Sequence, residues 1–168
     1  RPSSSGAAAA FAPAGVRNAA GETPVEAVAA GSAISIYGAN LATAIEIGPD
    51  NPLAQAIAGV TVRLGDRLLP LFFVSPEQIN AQLPSGIEPG EYELTVWQQN
   101  RAAVTTTFTA VRNAPGLFQS IVEDAAWAVA VRADGSAVSS ESPAKRGEVL
   151  TVYGTGFGPT QPPTVDGF

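Results

Sequence analysis

Leu69-Pro70-Leu71-Phe72-Phe73-Val74-Ser75-Pro76-Glu77-Gln78-Ile79-Asn80-Ala81-Gln82-Leu83-Pro84-Ser85-Gly86 is the stretch whose reading decides the fold. Its first part, Leu69–Val74, is a short apolar run of the kind that forms a strand buried on both sides. Ser75-Pro76 interrupts it with turn chemistry. Ile79, Ala81 and Leu83 then alternate with Gln78, Asn80 and Gln82, and a period of two places the apolar set on one face of a strand. Pro84-Ser85-Gly86 stops that strand and reverses the chain. The same grammar extends in both directions. Ile34 and Ile36 share one face, while Val60, Val62 and Leu64 share another with Thr61 and Arg63 outward. Tyr92, Leu94 and Val96 alternate with Glu91, Glu93, Thr95 and Trp97, and Val104–Val111 is Thr-rich and β-branched. Gly65-Asp66 and Pro89-Gly90 supply further turns. Strands recur at roughly 8–15 residue intervals with no persuasive amphipathic helix between them, which predicts an antiparallel Greek-key sandwich and not a βαβ fold.

This pattern divides the chain of 168 residues into three parts. Residues 1–30 are rich in Ala, Ser, Gly and Pro with sparse large apolar residues (Phe11, Val16, Val25, Val28), and read as an extended arm with one strand near Gly15–Ala19. The sandwich is expected over 31–112. After Asn113-Ala114-Pro115-Gly116 a smaller β unit is expected over 113–168. In it Trp127–Arg132, the turn Ala133-Asp134-Gly135 and Ser136-Ala137-Val138 read as a hairpin. One internal repeat links the two units. Gly31-Ser-Ala-Ile-Ser-Ile-Tyr37-Gly38-Ala-Asn40-Leu41 matches Gly147-Glu-Val-Leu-Thr-Val-Tyr153-Gly154-Thr-Gly156-Phe157, with its alternating apolar positions coincident. The second copy therefore begins a sandwich that the following eleven residues do not finish.

Composition excludes several reaction classes. There is no His, Cys or Met, so neither a Ser-His nor a Cys-His nucleophile pair can exist, nor thiolate chemistry, nor a disulfide. Zinc, haem and iron–sulfur sites of the usual ligands are excluded within one chain, and no cofactor is expected. The formal net charge is −6, with scattered cations, which argues against a nucleic-acid partner. No apolar run reaches the ~20 residues of a membrane-spanning helix, so no transmembrane segment is expected. The chain opens on Arg1, which an excised signal peptide would explain.

The Gly31–Leu41 segment, Leu71–Pro84 and Pro89-Gly90-Glu-Tyr-Glu-Leu-Thr-Val96 resemble the immunoglobulin-like, plexin and transcription-factor (IPT/TIG) sandwich. More closely, the chain resembles an uncharacterised C-terminal domain family of large secreted acidobacterial proteins. The cues are Val16-Arg17-Asn18-Ala19-Ala20, the link Ala114–Phe118, and Pro143–Pro159. The resemblance covers about residues 16–168. It implies an all-β chain: an immunoglobulin-like Greek-key β-sandwich followed by a smaller, incomplete β unit, on a bacterial exterior. It implies no catalytic residues.

Candidate chemistry is thin. Glu91 and Glu93, or Glu123-Asp124, are carboxylate pairs of the type that glycoside hydrolysis uses, but they also read as solvated surface acids. Glu46, Asp50 or Asp124 with carbonyls would suit calcium, although no Asp-x-Asp-x-Asp-Gly loop is present. Gly154-Thr-Gly156-Phe-Gly158-Pro159 has a phosphate-loop look but lacks the Lys and the following helix, and reads as a tight turn. Trp97, Trp127 and Tyr37 are candidate sugar-stacking rings, with Trp97 the best because its parity opposes Tyr92, Leu94 and Val96.

The unfinished copy points elsewhere. A sheet that lacks strands exposes unpaired N–H and C=O groups, and a strand from another chain can satisfy them. Val149-Leu150-Thr151-Val152-Tyr153 is the candidate strand-pairing segment, with the N-terminal arm as another donor. Head-to-tail pairing does not close and so builds a filament. The alternative is that this last strand pairs within its own chain, with the sandwich or with the 127–138 hairpin. The expected function is thus a non-enzymatic extracellular structural or adhesive module. Its partners would be copies of itself or neighbouring surface proteins. Carbohydrate binding through Trp97 is the rival.

Overall fold

The computed structural model describes residues 7–21, 27–99, 101–122 and 124–167. Among these residues every regular element is a strand. The first ten are β1 (Ala10–Asn18), β2 (Ala27–Ala29), β3 (Ala33–Ala39), β4 (Glu46–Ile47), β5 (Val60–Leu64), β6 (Arg67–Leu68), β7 (Leu71–Val74), β8 (Gln78–Gln82), β9 (Gly90–Gln98) and β10 (Val104–Val111). They form two five-stranded sheets, ordered β1-β3-β8-β7-β4 and β2-β10-β9-β5-β6. The remaining strands are β11 (Gly116–Leu117), β12 (Gln119–Val122), β13 (Ala125–Ala128), β14 (Ala130–Arg132), β15 (Leu150–Val152) and β16 (Gly154–Thr155). These pair two by two, as β11-β16, β12-β13 and β14-β15. The architecture is the expected immunoglobulin-like sandwich followed by a smaller β unit.

The alternation read from the sequence is what closes the sandwich. Ile34, Ile36, Leu71, Ile79 and Ala81 of the first sheet face Val60, Val62, Leu94, Val96 and Phe108 of the second, all buried in one cluster. Each of these side chains other than Ala81 contributes about 1.5–3 kcal/mol by leaving water. Tyr92 stacks on Phe108 with ring centroids 6.0 Å apart. Phe72 and Phe73 are only half-buried, unlike Leu71 and Val74, because a bulge between Leu71 and Phe73 breaks the alternation. The Ser75-Pro76 turn is held by the Ser75 hydroxyl, which accepts from the Gln78 N–H at 2.9 Å.

The segment expected as an arm supplies an edge strand to each sheet. β1 pairs antiparallel with β3, and β2 runs parallel to β10 through Ala27, Val28 and Ala29. Val25 lies outside the described residues. β1 carries a bulge between Phe11 and Val16, where Gly15 lies so close to the Tyr37 carbonyl that a Cβ would collide with it.

The hairpin expected over 127–138 is split. Trp127 and Ala128 pair with β12, whereas Ala130–Arg132 pair with β15. Val129 is the switch: its N–H donates to Phe118 O, and its carbonyl accepts from Tyr153 N–H. The inner part of the hairpin is present: Val131 pairs with Ala137 in an antiparallel bridge, and Val138 N–H donates to Ala130 O at 3.0 Å. Arg132 N–H donates to Ser136 O, Gly135 N–H donates to Arg132 O, and Gly135 takes a positive φ of 82°. The chain end returns to the sandwich: Gly167 N–H donates to Gln82 Oε1 at 2.6 Å, and Ser85 N–H donates to Asp166 Oδ1 at 2.9 Å.

Candidate functional site

The internal repeat is a repeat of structure, register by register. In the sandwich Phe11 pairs with Gly38, Val16 with Ile36, Arg17 with Ser35 and Asn18 with Ile34. In the second unit Leu117 pairs with Gly154, Ala130 with Val152, Val131 with Thr151 and Arg132 with Leu150. Each residue of β15 and β16 occupies the place of its counterpart in β3. Gly38 and Gly154 play one role: a Cβ on the first would strike Ala10 O and the Leu41 side chain, and on the second Gly116 O and the Phe157 side chain. β11 and β14 together therefore stand where β1 stands. The difference is the interruption. Residues 12–15 bulge out between Phe11 and Val16, whereas residues 118–129 leave between Leu117 and Ala130 and carry the β12–β13 hairpin.

What surrounds the two copies differs more. Ile34, Ile36 and Leu41 are all 0% exposed, covered by β8 and the opposite sheet. Their counterparts are Leu150, half-buried, Val152, 51% exposed, and Phe157, 60% exposed. Val149 and Tyr153, on the other face, are exposed as well. One edge of β15 is taken by β14, so the candidate segment Val149–Tyr153 is paired within its own chain on that side. Tyr153 fixes the parity. Its N–H donates to Val129 O and its carbonyl accepts from Phe118 N–H, so Thr151 and Tyr153 turn their backbone groups toward the chain's own strands. Leu150 and Val152 turn theirs to the open edge, the counterpart of the β3 edge at which Ile34 and Ile36 pair with Ala81 and Ile79 of β8. Among the described residues no strand occupies that edge.

Arg132, which the sequence did not single out, organises the rest of this unit. Its Nε donates to Glu148 Oε1 at 2.7 Å, and its other nitrogens donate to Ala137 O at 2.9 Å, Ser142 O at 2.8 Å and Pro143 O at 3.2 Å. Glu148 is held below its ordinary pKa first by the Lys145 backbone N–H and then by Arg132. Asp134 is lowered by the backbone N–H and hydroxyl of Ser136 across the turn. Asn18 and Asn113 bind the unit to the sandwich: Asn18 Nδ2 donates to Ala114 O at 2.6 Å, and Asn113 Nδ2 donates to Phe157 O. Thr155 Oγ1 accepts from Ala33 N–H at 2.9 Å. The Gly154–Pro159 loop is a packed turn against the 112–114 link, with Gly156 and Gly158 at positive φ.

The three aromatic candidates do not meet. Tyr37 lies on the outer face of the first sheet with the Arg17 guanidinium 5.8 Å from its ring centroid. Trp97, 55% exposed, lies on the outer face of the second sheet opposite Thr61. Trp127 lies on the β12–β13 hairpin opposite Ser120. Glu91, Glu93, Glu46, Asp50 and Asp124 are solvent-exposed, and Glu123 lies outside the described residues. Among the described residues no three His, Cys, Asp or Glu side chains gather as a metal site, and no helix is long and apolar enough to cross a membrane.

Comparison with known proteins adds one assignment. The IPT/TIG domain family matches residues 23–111, more than half of the chain. A search of curated proteins gave no match. Among solved structures, a protein of Bacteroides vulgatus described as DNA binding shares 22% identity over 57% of this chain, with a TM-score of 0.39. One of Bacteroides thetaiotaomicron described as a phosphatase shares 24% identity over 60% of it, with a TM-score of 0.35. The chain spans 45% of the first and 20% of the second, and similarity at this level carries no functional argument.

Proposed function

The chain belongs to the IPT/TIG domain family, and from that premise we propose that it is a structural or adhesive module of a bacterial exterior that self-associates by β-strand complementation. IPT/TIG domains are immunoglobulin-like, typically non-catalytic, and often found in extracellular proteins. The resemblance of Val16–Ala20, Ala114–Phe118 and Pro143–Pro159 to secreted acidobacterial proteins supports the same location. The observation that carries the reading is the open edge of β15. A strand pair built like β1–β3 presents Leu150 and Val152, with their outward N–H and C=O groups, to solvent. Strand addition satisfies such groups, with main-chain bonds giving affinity and alternate side chains giving register. A net charge of −6 counts against a nucleic-acid partner. Light scattering and negative-stain microscopy of the purified chain test the reading: mass that grows with concentration into linear polymers supports it, and a concentration-independent monomer removes it.

Trp97 favours a second reading, carbohydrate binding, because an exposed indole on the outer face of a sheet suits stacking on a sugar ring. In a glycan pulldown the native chain would be retained and Trp97→Ala would not. Retention indifferent to that substitution rejects it.

A further inference from the structure

We propose that the donor to the open β15 edge is strand β13 of a second copy, with Ala126 pairing to Val152, Trp127 to Thr151 and Ala128 to Leu150. This rests on the self-association reading and names both sides of its junction.

The acceptor has a template within the same chain. In the sandwich the edge equivalent to that of β15 is filled by β8, antiparallel, with Ile79 on Ile36 and Ala81 on Ile34. Carried to the second unit, that register asks for apolar residues two apart, the first on Val152 and the second on Leu150. β8 of another copy cannot supply them, because it sits between β3 and β7 in its own sheet. β13 can. Ala126 and Ala128 have the required spacing, and all four residues of β13 are exposed, as are those of β12.

Backbone parity agrees. Val129 N–H donates to Phe118 O, so with Gln119 opposite Ala128, Trp127 turns its N–H and C=O toward β12. Ala126 and Ala128 turn theirs outward. The two open edges thus present their free groups at matching positions, Ala126 and Ala128 on one copy, Val152 and Leu150 on the other. Side chains agree as well. With Trp127 opposite Thr151, its indole lies on the face that carries Val149 and Tyr153, within diagonal reach of both. Trp127, Val149 and Tyr153 are 49%, 82% and 48% exposed in the single chain, and one contact covers all three. The hairpin also gains, since an isolated two-stranded ribbon is marginal in water and a third strand steadies it.

The donor hairpin leaves the unit on the β11–β14 side, and the acceptor edge is on the far side of β15. Donor and acceptor are different surfaces, so the contact is heterologous and runs head-to-tail from copy to copy.

The test uses the 168-residue chain in a Trp97→Phe background, so that Trp127 is the only indole. Ala126→Pro removes an outward donor N–H, and Val152→Pro an outward acceptor N–H, neither used within the chain. Trp127→Lys and Val152→Lys are second variants that keep the backbone and place a charge in the junction. Each single variant should lower the association constant about tenfold or more, the effect of one lost main-chain bond. The parent's Trp127 emission should shift to the blue as polymers grow. A 1:1 mixture of Ala126→Pro and Val152→Pro, which leaves one intact donor and one intact acceptor, should stop at a complex of two chains. If the parent polymerises and all four variants polymerise equally well, the junction is wrong and self-association stands. If the parent never associates, both are wrong.

Discussion

At the residue scale, Arg132 and Glu148 tie together the segments around Ala137, Ser142-Pro143 and Lys145, and the carboxylate in that network titrates. The Lys145 N–H and the Arg132 guanidinium favour the charged form of Glu148, so its folded pKa lies below the ordinary 4.5. A lowered folded pKa means that the stabilisation is present above the ordinary value and fades as pH falls through the folded one. We expect the Lys145 amide resonance to titrate at a pH below 4.5, and Arg132→Ala to move that midpoint up toward it. A midpoint at or above the ordinary value, unmoved by the substitution, contradicts the arrangement. Little of this is legible in the sequence. Arg132 acts mainly on carbonyls, those of Ala137, Ser142 and Pro143, and a carbonyl acceptor leaves no mark on residue identity. Gly154 is the opposite case, because the Tyr-Gly pair at 37–38 and 153–154 marks its repeated role in the residues themselves.

At the element scale, alternation decides most of the sandwich. β3, β5, β8 and β9 fall where apolar residues recur every second position, because a strand with one face in the core must follow that period, and β10 falls on the Thr-rich, β-branched run. β1 and β2 are less visible, being Ala-rich and on sheet edges, where burial asks for fewer large side chains. The β12–β13 hairpin does not coincide with the one expected over 127–138, since Trp127–Arg132 alternates without a break and nothing local marks the exchange of partners at Val129. The two copies of the repeat also predict unequal tolerance. Ile36→Ala opens a cavity in a fully covered site and should cost about 2–5 kcal/mol of unfolding free energy. Its counterpart Val152→Ala, half in water, should cost about 0.5 kcal/mol or less in the dilute chain. Equal losses in denaturant melts would show that the second face is covered after all.

At the scale of the whole molecule, the ten-stranded sandwich carries a second strand pair of the same design whose outer edge no strand takes up among the described residues. The last described residues bond to the sandwich through Asp166 on Ser85 and Gly167 on Gln82, and the strand pair itself does so through Thr155 on Ala33. Hydrogen exchange at the Leu150 and Val152 amides, followed from dilute to concentrated chain, tests the central claim most directly. The account predicts rapid exchange of both when dilute and strong protection of both on assembly, while Ile34 and Ile36 stay protected throughout. Protection unchanged with concentration at Leu150 and Val152, in a chain that scattering shows to be assembled, would contradict it.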